Sequence, residues 1–466
     1  MVVLVNPGSV DDTPPPPNHN PLPIQPSTPS SIPFAPDYSL SSISPKQNPN
    51  ILTTKSPVKL ILLISTGLCT NRLYKYALRL DRKSLARFKC VNRSFRSQIS
   101  NPEFGIEYFS RLTPGFIQSS ILCSKTLRYV PFVSDQTKTQ AESTRLLHDC
   151  GVLGSDSGLV LLFLGELCVL NPITKKLRFV GKESKEFMKN IYLMCELELM
   201  SIGFSVEKID QTTQRFGIVC ITEVLRRQRR GNSYYRFEIY DSDDHSWRVT
   251  ETMVSCPRRE LLTCVKPVYF NRVFHWLRSD GKIVTFNPET DETRIVPTTI
   301  QSLGNCCRTW FGLVDGNLTL IRMSDGENSE RVVSVYILRD GPISEWVLDK
   351  QINTIERERW VLWEIATYNG RLLVMKEKNY RTNRDQLLVY DVGANEWRFL
   401  GTASKCMDYH SVFFDFQPSW FDVKGLESFP SMANIKERGI EERIYEKKLL
   451  SLGLFMEMID TRSGPI

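Results

Sequence analysis

The chain has 466 residues, 41% hydrophobic and 10% aromatic, with a formal net charge of +7. That length fits two or more folding units with a large core, and the composition excludes a protein that is disordered throughout. The positive excess is modest and no long Lys/Arg stripe alternates with aromatic residues, so no nucleic-acid partner is expected.

Residues 1–57 read as a disordered Pro/Ser-rich tail. Fourteen of the 26 prolines fall by Pro57, including the Pro14–Pro17 run. Such a segment buries too little apolar surface to offset the entropy of ordering it. A PxxP-type ligand is the alternative reading. No early basic patch leads into an apolar run and no arginine precedes Arg72, so neither a secretory signal nor an organelle transit peptide is expected. The best apolar run, Val58 to Cys69, contains Lys59 and is too short to span a bilayer, so no membrane partner is expected either.

Residues 58–112 read as a small all-α module organised around Lys83 to Phe104. Ser84 is a good helix N-cap. Leu85, Phe88, Val91, Phe95 and Ile99 then recur at steps of three or four, the spacing of one helical face. Arg87, Lys89, Arg93 and Arg96 make a basic outer face. Asn92 can cap a second helix, which leaves one long helix and a helix-turn-helix both open. Asn101-Pro102 stops the pattern, because the residue before proline avoids the α region. Ile106 to Leu112 then leads out of the module.

The run of Lys83, Ser84, Leu85, Arg87, Phe88, Lys89, Cys90, Val91, Arg93, Arg96, Ile99, Pro102 and Phe104 resembles the second half of an F-box. The first half departs from that family. Cys69 and Asp81 stand at its two proline positions, Lys75 replaces an acidic residue and Tyr76 an aliphatic one. Phe95 replaces the usual tryptophan, while Leu68, Leu73 and Leu80 are kept. The resemblance implies that Leu68, Leu80, Leu85, Val91 and Phe95 hold the Skp-type adaptor of a cullin ubiquitin ligase. On periodicity alone, an ordinary amphipathic hairpin is the alternative.

Residues 113–425 change to strands and turns, with a repeat. Asn171, Asp241, Asn287 and Asp391 each follow an apolar or aromatic residue. After five intervening residues come Leu177-Arg178, Trp247-Arg248, Thr293-Arg294 and Trp397-Arg398. Asn and Asp bond their own backbone in turns, and Trp, Thr and Val suit a returning strand. A divergent copy joins Val335-Tyr336-Ile337 to Glu345-Trp346-Val347. A second element, at Ser157-Gly158, Asn271-Arg272, Asp315-Gly316 and Asn369-Gly370, predicts hairpin turns with positive φ. Four strands in roughly 50 residues is the kelch-type period. The expected fold is therefore mainly β with a small all-α N-terminal module, the β part being a propeller of about six blades. A flat β-sandwich is the alternative.

The stretches 154–162, 169–180, 271–276, 283–296 and 387–401 resemble the F-box-associated domain of plants, a kelch-like propeller. With the helical module, that implies a substrate-recognition subunit of an SCF-type E3 ubiquitin ligase. It would bind the adaptor, through it a cullin scaffold, and an unidentified target protein, in cytoplasm or nucleus. The alternative is a propeller binding module whose F-box does not function. Leu225 to Arg230 is the most basic cluster and reads as a solvated hairpin tip, with a nuclear-import signal as the other option. Residues 426–466 read as a charged tail, and Ile440, Ile444 and Leu450 sit at near-helical intervals.

No active site is legible. The five histidines are dispersed, and no nucleophile elbow, P-loop or dinucleotide fingerprint occurs in usable context. The twelve cysteines include no CxxC pair and read as free thiols in a reducing compartment, mostly buried. No catalytic residue, metal or cofactor is expected. A propeller enzyme such as a copper oxidase would need clustered His, Tyr and Cys ligands at the axis.

Overall fold

The structure is a computed structural model. It describes residues 70–462 except 81, 92, 113, 121–123, 133–143, 182–197, 211–212, 225–232, 258–259, 301, 304–307, 326–330, 340–343, 354–360, 382–383, 403–410 and 431–439. The N-terminal tail, Leu68, the basic cluster at 225–230 and Cys306-Cys307 lie outside the described residues.

Four short helices come first: α1 (Thr70–Ala77), α2 (Arg82–Val91), α3 (Arg93–Ile99) and α4 (Pro102–Ser110). The helix-turn-helix option holds: α2 ends at Val91 and α3 begins at Arg93. The expected stop at Asn101-Pro102 also starts α4. Asn101 is extended (φ −67°, ψ 132°) and its side chain accepts the Glu103 N–H at 3.0 Å. Pro102 takes the first helical position, where a missing N–H costs nothing. Proline disfavours helix in the residue before it, not after it. The expected lead-out from Ile106 is therefore largely a fourth helix.

Among the described residues the rest is one eight-stranded, one six-stranded and three four-stranded sheets, almost all antiparallel, and the eight-stranded one is counted below as two. Chain order gives β1 (Gly115–Ser120), β2 (Ser124–Pro131) and β3 (Thr144–Asp156), then β4 (Leu159–Phe163), β5 (Leu167–Asn171) and β6 (Lys176–Phe179). The third sheet holds β7 (Glu198–Lys208), β8 (Thr213–Val224), β9 (Ser233–Asp241) and β10 (Ser246–Val249), with β11 (Val254–Cys256) also pairing β9. The fourth holds β12 (Val268–Phe270), β13 (Val273–Leu277), β14 (Ile283–Phe286) and β15 (Thr293–Val296). The fifth holds β16 (Thr309–Val314), β17 (Asn317–Asp325), β18 (Arg331–Arg339) and β19 (Glu345–Asn353). The sixth holds β20 (Val361–Tyr368), β21 (Leu372–Asn379), β22 (Arg384–Asp391) and β23 (Glu396–Thr402). The late strand β24 (Ser411–Phe416) returns to pair with β1 and completes the first sheet. β3 is shared: its first part pairs with β2 and its second with β4.

The innermost strands close a ring. β3 meets β7, β7 meets β12, β12 meets β16, β16 meets β20, β20 meets β24, and β24 meets β3. This is a six-bladed propeller, as the repeat predicts. Blades two and three share an apolar seam that includes Leu161, Val169, Ile202 and Phe216. Phe237, Trp276 and Phe286 fill the next. Leu277, Phe311 and Trp346 follow, then Ile321, Val335 and Trp363. Val374, Val389, Phe116 and Phe413 seal blade six against blade one. Closure by β24 joins the two ends of the repeat array, so no blade is left with an unpaired inner face.

The predicted turns are present with the predicted chemistry. Asn171 accepts the N–H of Ile173 and Thr174, Asp241 that of Asp243, Asn287 those of Glu289 and Thr290, and Asp391 those of Gly393 and Ala394. Each turn ends on a left-handed residue: Lys175, His245, Asp291 and Asn395, with φ of 54–57°. The second turn element also has positive φ, at Ser157-Gly158, Asn271-Arg272, Asp315-Gly316 and Gly370. Both turn types fall on one face of the ring, called here the turn face. Antiparallel alternation puts the other strand ends, among them the ends of β6, β8, β15, β19 and β23 and the starts of β7, β9, β16, β20 and β24, on the opposite face.

After β24 the chain becomes a strap. β25 (Asp422–Val423) pairs with β8, and β26 (Glu427–Ser428) pairs with β6. The last element is α5 (Ile440–Arg462), packed on β3 and β2. It buries Leu449, Leu452, Phe455, Met456 and Ile459. Ile444, one of the expected apolar positions, is half exposed, because the buried face begins later along the helix. No helix among the described residues is long and apolar enough to cross a membrane.

Candidate functional site

The helical module has a small aromatic interior. Phe88 and Phe95 stack at 4.5 Å between centroids, 19° apart in plane. Tyr74 meets Phe104 edge-on at 5.3 Å, and Phe104 stacks on Tyr108 at 5.9 Å. The Tyr108 hydroxyl donates to the Leu80 carbonyl at 2.8 Å, and the Tyr74 hydroxyl donates to Glu107 at 3.0 Å. These bonds tie the end of α1 to α4.

Of the residues expected to hold the adaptor, Leu68 lies outside the described residues and the other four are divided. Leu85 and Phe95 are buried in the module, Leu80 is half-buried and Val91 is 50% exposed. Helical spacing had placed Leu85, Val91 and Phe95 together. One helix ends at Val91 and the next begins at Arg93, so positions in the two do not share one continuous stripe. The side chains open to a partner here are Val91, exposed Cys90 and the cations around them.

The module is seated on the turn face through Trp420, which lies in the strap. Its indole stacks on Phe109 of α4 at 5.3 Å and 20°, and the Lys89 ammonium lies 5.7 Å from its ring centroid. Burial lowers the Lys89 pKa. Gly105 lets α4 approach this closely: a Cβ there would lie 2.8 Å from Trp420 Nε1. The strap is itself fixed to blades two and three. The Asn171 amide donates to the Ser419 carbonyl at 3.1 Å, and Arg178 donates to the Gly425 carbonyl at 2.9 Å. Lys424 pairs with Asp243 at 2.8 Å, which holds that carboxyl below its usual range. Gly158, at φ 85°, abuts Ser419 so closely that no side chain fits between them. Trp420 lies beyond the last repeat and outside the F-box-like run, so no periodicity marked it. An isolated tryptophan in a short polar stretch was the only signal.

The ring axis is crossed from side to side. Lys266 precedes β12 in blade four, and its ammonium lies 4.4 Å from the ring centroid of Phe414 on β24 of the opposite blade. Enclosure lowers its pKa to about 8, with Asp415 acting the other way. Asp415 accepts a hydrogen bond from Thr367. Its carboxyl opens onto the axial space but is walled by protein, which raises its pKa against the pull of Lys266 and Thr367.

Among the described residues no group of three or more His, Cys, Asp and Glu is arranged to hold a metal. Of the six described cysteines, Cys150, Cys168, Cys220 and Cys256 are buried. His275 faces the Val268 carbonyl at 3.3 Å within blade four.

Comparison with known proteins agrees with this architecture. The F-box domain family matches residues 78–107, and the F-box associated beta propeller domain family matches 125–312. A putative F-box/kelch-repeat protein of Arabidopsis thaliana is 37% identical over 355 residues, covering 74% of this chain and 75% of the relative. A putative F-box protein of the same plant is 33% identical, covering 76% and 85%. Another Arabidopsis F-box/kelch-repeat protein is 32% identical, covering 78% and 90%. Among solved structures, TolB from Acinetobacter baumannii is similar at a TM-score of 0.34 and 9% identity, over 65% of this chain and 66% of that one. A likeness that weak carries no argument about function. The helical module, the closed ring and the relatives lead to one assignment: the chain belongs to the family of F-box proteins that carry an F-box-associated β-propeller.

Proposed function

We propose that the chain is the substrate-recognition subunit of an SCF-type ubiquitin ligase. The observation that carries the reading is the division of labour between the two faces of the ring. The helical module is clamped to the turn face through Trp420, and the strand ends that bracket the longer connections lie on the other. Loops on a rigid scaffold are where binding residues concentrate. A target held there would be carried at a fixed distance from an adaptor held by the module. The adaptor in turn joins a cullin scaffold, so the conjugating chemistry lies in other subunits and this chain acts by proximity. Cytoplasm or nucleus is the setting such a complex requires.

Within the module, Val91 and Leu80 are assigned to adaptor contact, and Leu68 remains a candidate from the family pattern. Leu85 and Phe95 are assigned to shaping the surface from beneath. The test is co-purification of the full chain with a plant Skp-type adaptor. Val91→Asp leaves the fold intact and loses the adaptor. Leu85→Asp unfolds the module, which accelerated hydrogen exchange across α2 and α3 reports separately. No wild-type complex would favour the other reading, a propeller binding module with a silent F-box. The substitutions at Cys69, Lys75, Tyr76, Asp81 and Phe95 motivate that alternative.

A further inference from the structure

The charge of this protein is concentrated in one small place. Residues 70–99 carry nine Lys and Arg (Arg72, Lys75, Arg79, Arg82, Lys83, Arg87, Lys89, Arg93 and Arg96) against one acid, Asp81. That local excess is larger than the net +7 of the whole chain, so the remainder is close to neutral.

The cations of the ring and of the module are used differently. On the propeller many are paired: Arg215 with Glu207 at 2.6 Å, Arg248 with Asp291 at 2.8 Å, Arg308 with Asp325 at 2.6 Å. In the module, Lys75, Arg79, Arg87, Arg93 and Arg96 are exposed, and among the described residues none has a carboxylate within ion-pair distance. The acids of α4 are no substitute, since Glu107 is already engaged by Arg111 at 2.8 Å and by Tyr74. Like charges gathered on short helices repel one another and gain nothing from the rest of the fold. A surface of this kind is complementary to an acidic one.

Two observations decide what sort of acidic surface. Val91, half exposed, lies four residues after Arg87 on the same helix, so an apolar group sits beside a basic one as at a protein interface. The phenylalanines of α2 and α3, Phe88 and Phe95, are buried, so these helices offer no platform for stacking bases.

We propose that this face selects its adaptor by charge: it docks a Skp-type adaptor whose contact surface is acidic, and long-range attraction steers the encounter. The inference rests on the adaptor-binding reading above and adds to it which adaptor surface is accepted and how association proceeds. Steering of this kind raises the association rate and is screened by salt, while short-range packing around Val91 governs dissociation.

The test measures association and dissociation rates of the full chain with a recombinant plant Skp-type adaptor at low and high sodium chloride. It compares wild type with a triple variant, Arg87→Glu, Arg93→Glu and Arg96→Glu. All three side chains are exposed, so thermal melting of the ring should not move. The proposal expects the wild-type association rate to fall by about tenfold or more from low to high salt, with dissociation changing far less. The triple variant should associate at least roughly tenfold more slowly at low salt and approach wild type at high salt. Equal rates for both proteins at all salt concentrations overturn the charge proposal and leave the adaptor reading standing. No wild-type binding at any salt overturns the adaptor reading itself. A short DNA duplex is run in parallel. Binding to it as tight as to the adaptor, and lost in the same variant, overturns the proposal in favour of a general polyanion surface.

Discussion

Replacing Trp420 by alanine should free the helical module from the ring without melting the ring. Trp420 is 36% exposed, so about two-thirds of its side chain is enclosed. At roughly 200 Å² for a tryptophan and ~25 cal/mol per Å², that burial stabilises the junction by ~3 kcal/mol, an upper value for an extended reference chain. The stack on Phe109 adds about 1 kcal/mol, and the Lys89 ammonium adds ~0.5 kcal/mol. Alanine and local collapse return part of this, which leaves a loss of ~3 kcal/mol, within the usual range for such truncations. Because these contacts join two bodies, the loss should appear as opening between them. Hydrogen exchange followed by mass spectrometry should show α4 amides exchanging ~100-fold faster, while blades four to six keep their protection and the main melting transition moves little. Trp420→Phe, which keeps a ring against Phe109, should lie between the two. Unchanged exchange in α4, or a ring that melts together with the module, would refute the seat described here.

Other variants probe the ring and its fastenings. Asp391→Ala removes an acceptor for two turn amides and the shared partner of Arg371 and Arg398, and should lower stability in chemical denaturation, mostly through the lost turn bonds. Ser451→Ala strands the N–H groups of Leu147 and His148, both of which donate to its hydroxyl, where β3 passes from one sheet to the next. Its signature should be local exchange at those two amides with little change in global stability. Lys266→Met should stabilise the ring by ~1–2 kcal/mol at neutral pH, a figure reduced from the pKa shift because Phe414 and Asp415 compensate part of the enclosure. The sign follows from proton binding. Below pH 8 the lysine is charged in both states and folding bears the cost of enclosing it; from pH 8 to ~10.4 the unfolded chain holds more protons, so wild-type stability rises. Urea melts across that window should show the rise in wild type and its absence in the variant.

The blades were legible because each turn is built from its own residues. An Asn or Asp that accepts the next amides, followed by a left-handed residue, needs no knowledge of the rest of the chain, and four copies in register give the period. The helical module was legible in part. Its periodicity predicted α2 and α3, but a stripe read across Asn92 merged two faces and drew Leu85 and Phe95 outward. Pro102, which ends one helical pattern, also begins α4. What sequence did not carry is contact between distant segments. The seat at Trp420 needs a residue from beyond the last blade to meet Phe109 and Gly105, and the axial crossing needs Lys266 to meet Phe414. The C-terminal helix was visible as a charged amphipathic stretch, but which side it buries depends on the outer surface of β2 and β3.

The account stands most directly on one arrangement, an adaptor on the module and a target on the far face of the ring at the same time. Cross-linking mass spectrometry of the full chain captured from plant cells under proteasome inhibition measures it. The account predicts adaptor cross-links at Lys75 and Lys89 together with a different protein cross-linked to the connections opposite the turn face. Capture of partners at the ring with no adaptor linked to residues 70–99, or of an adaptor linked to the loop face instead, would contradict it.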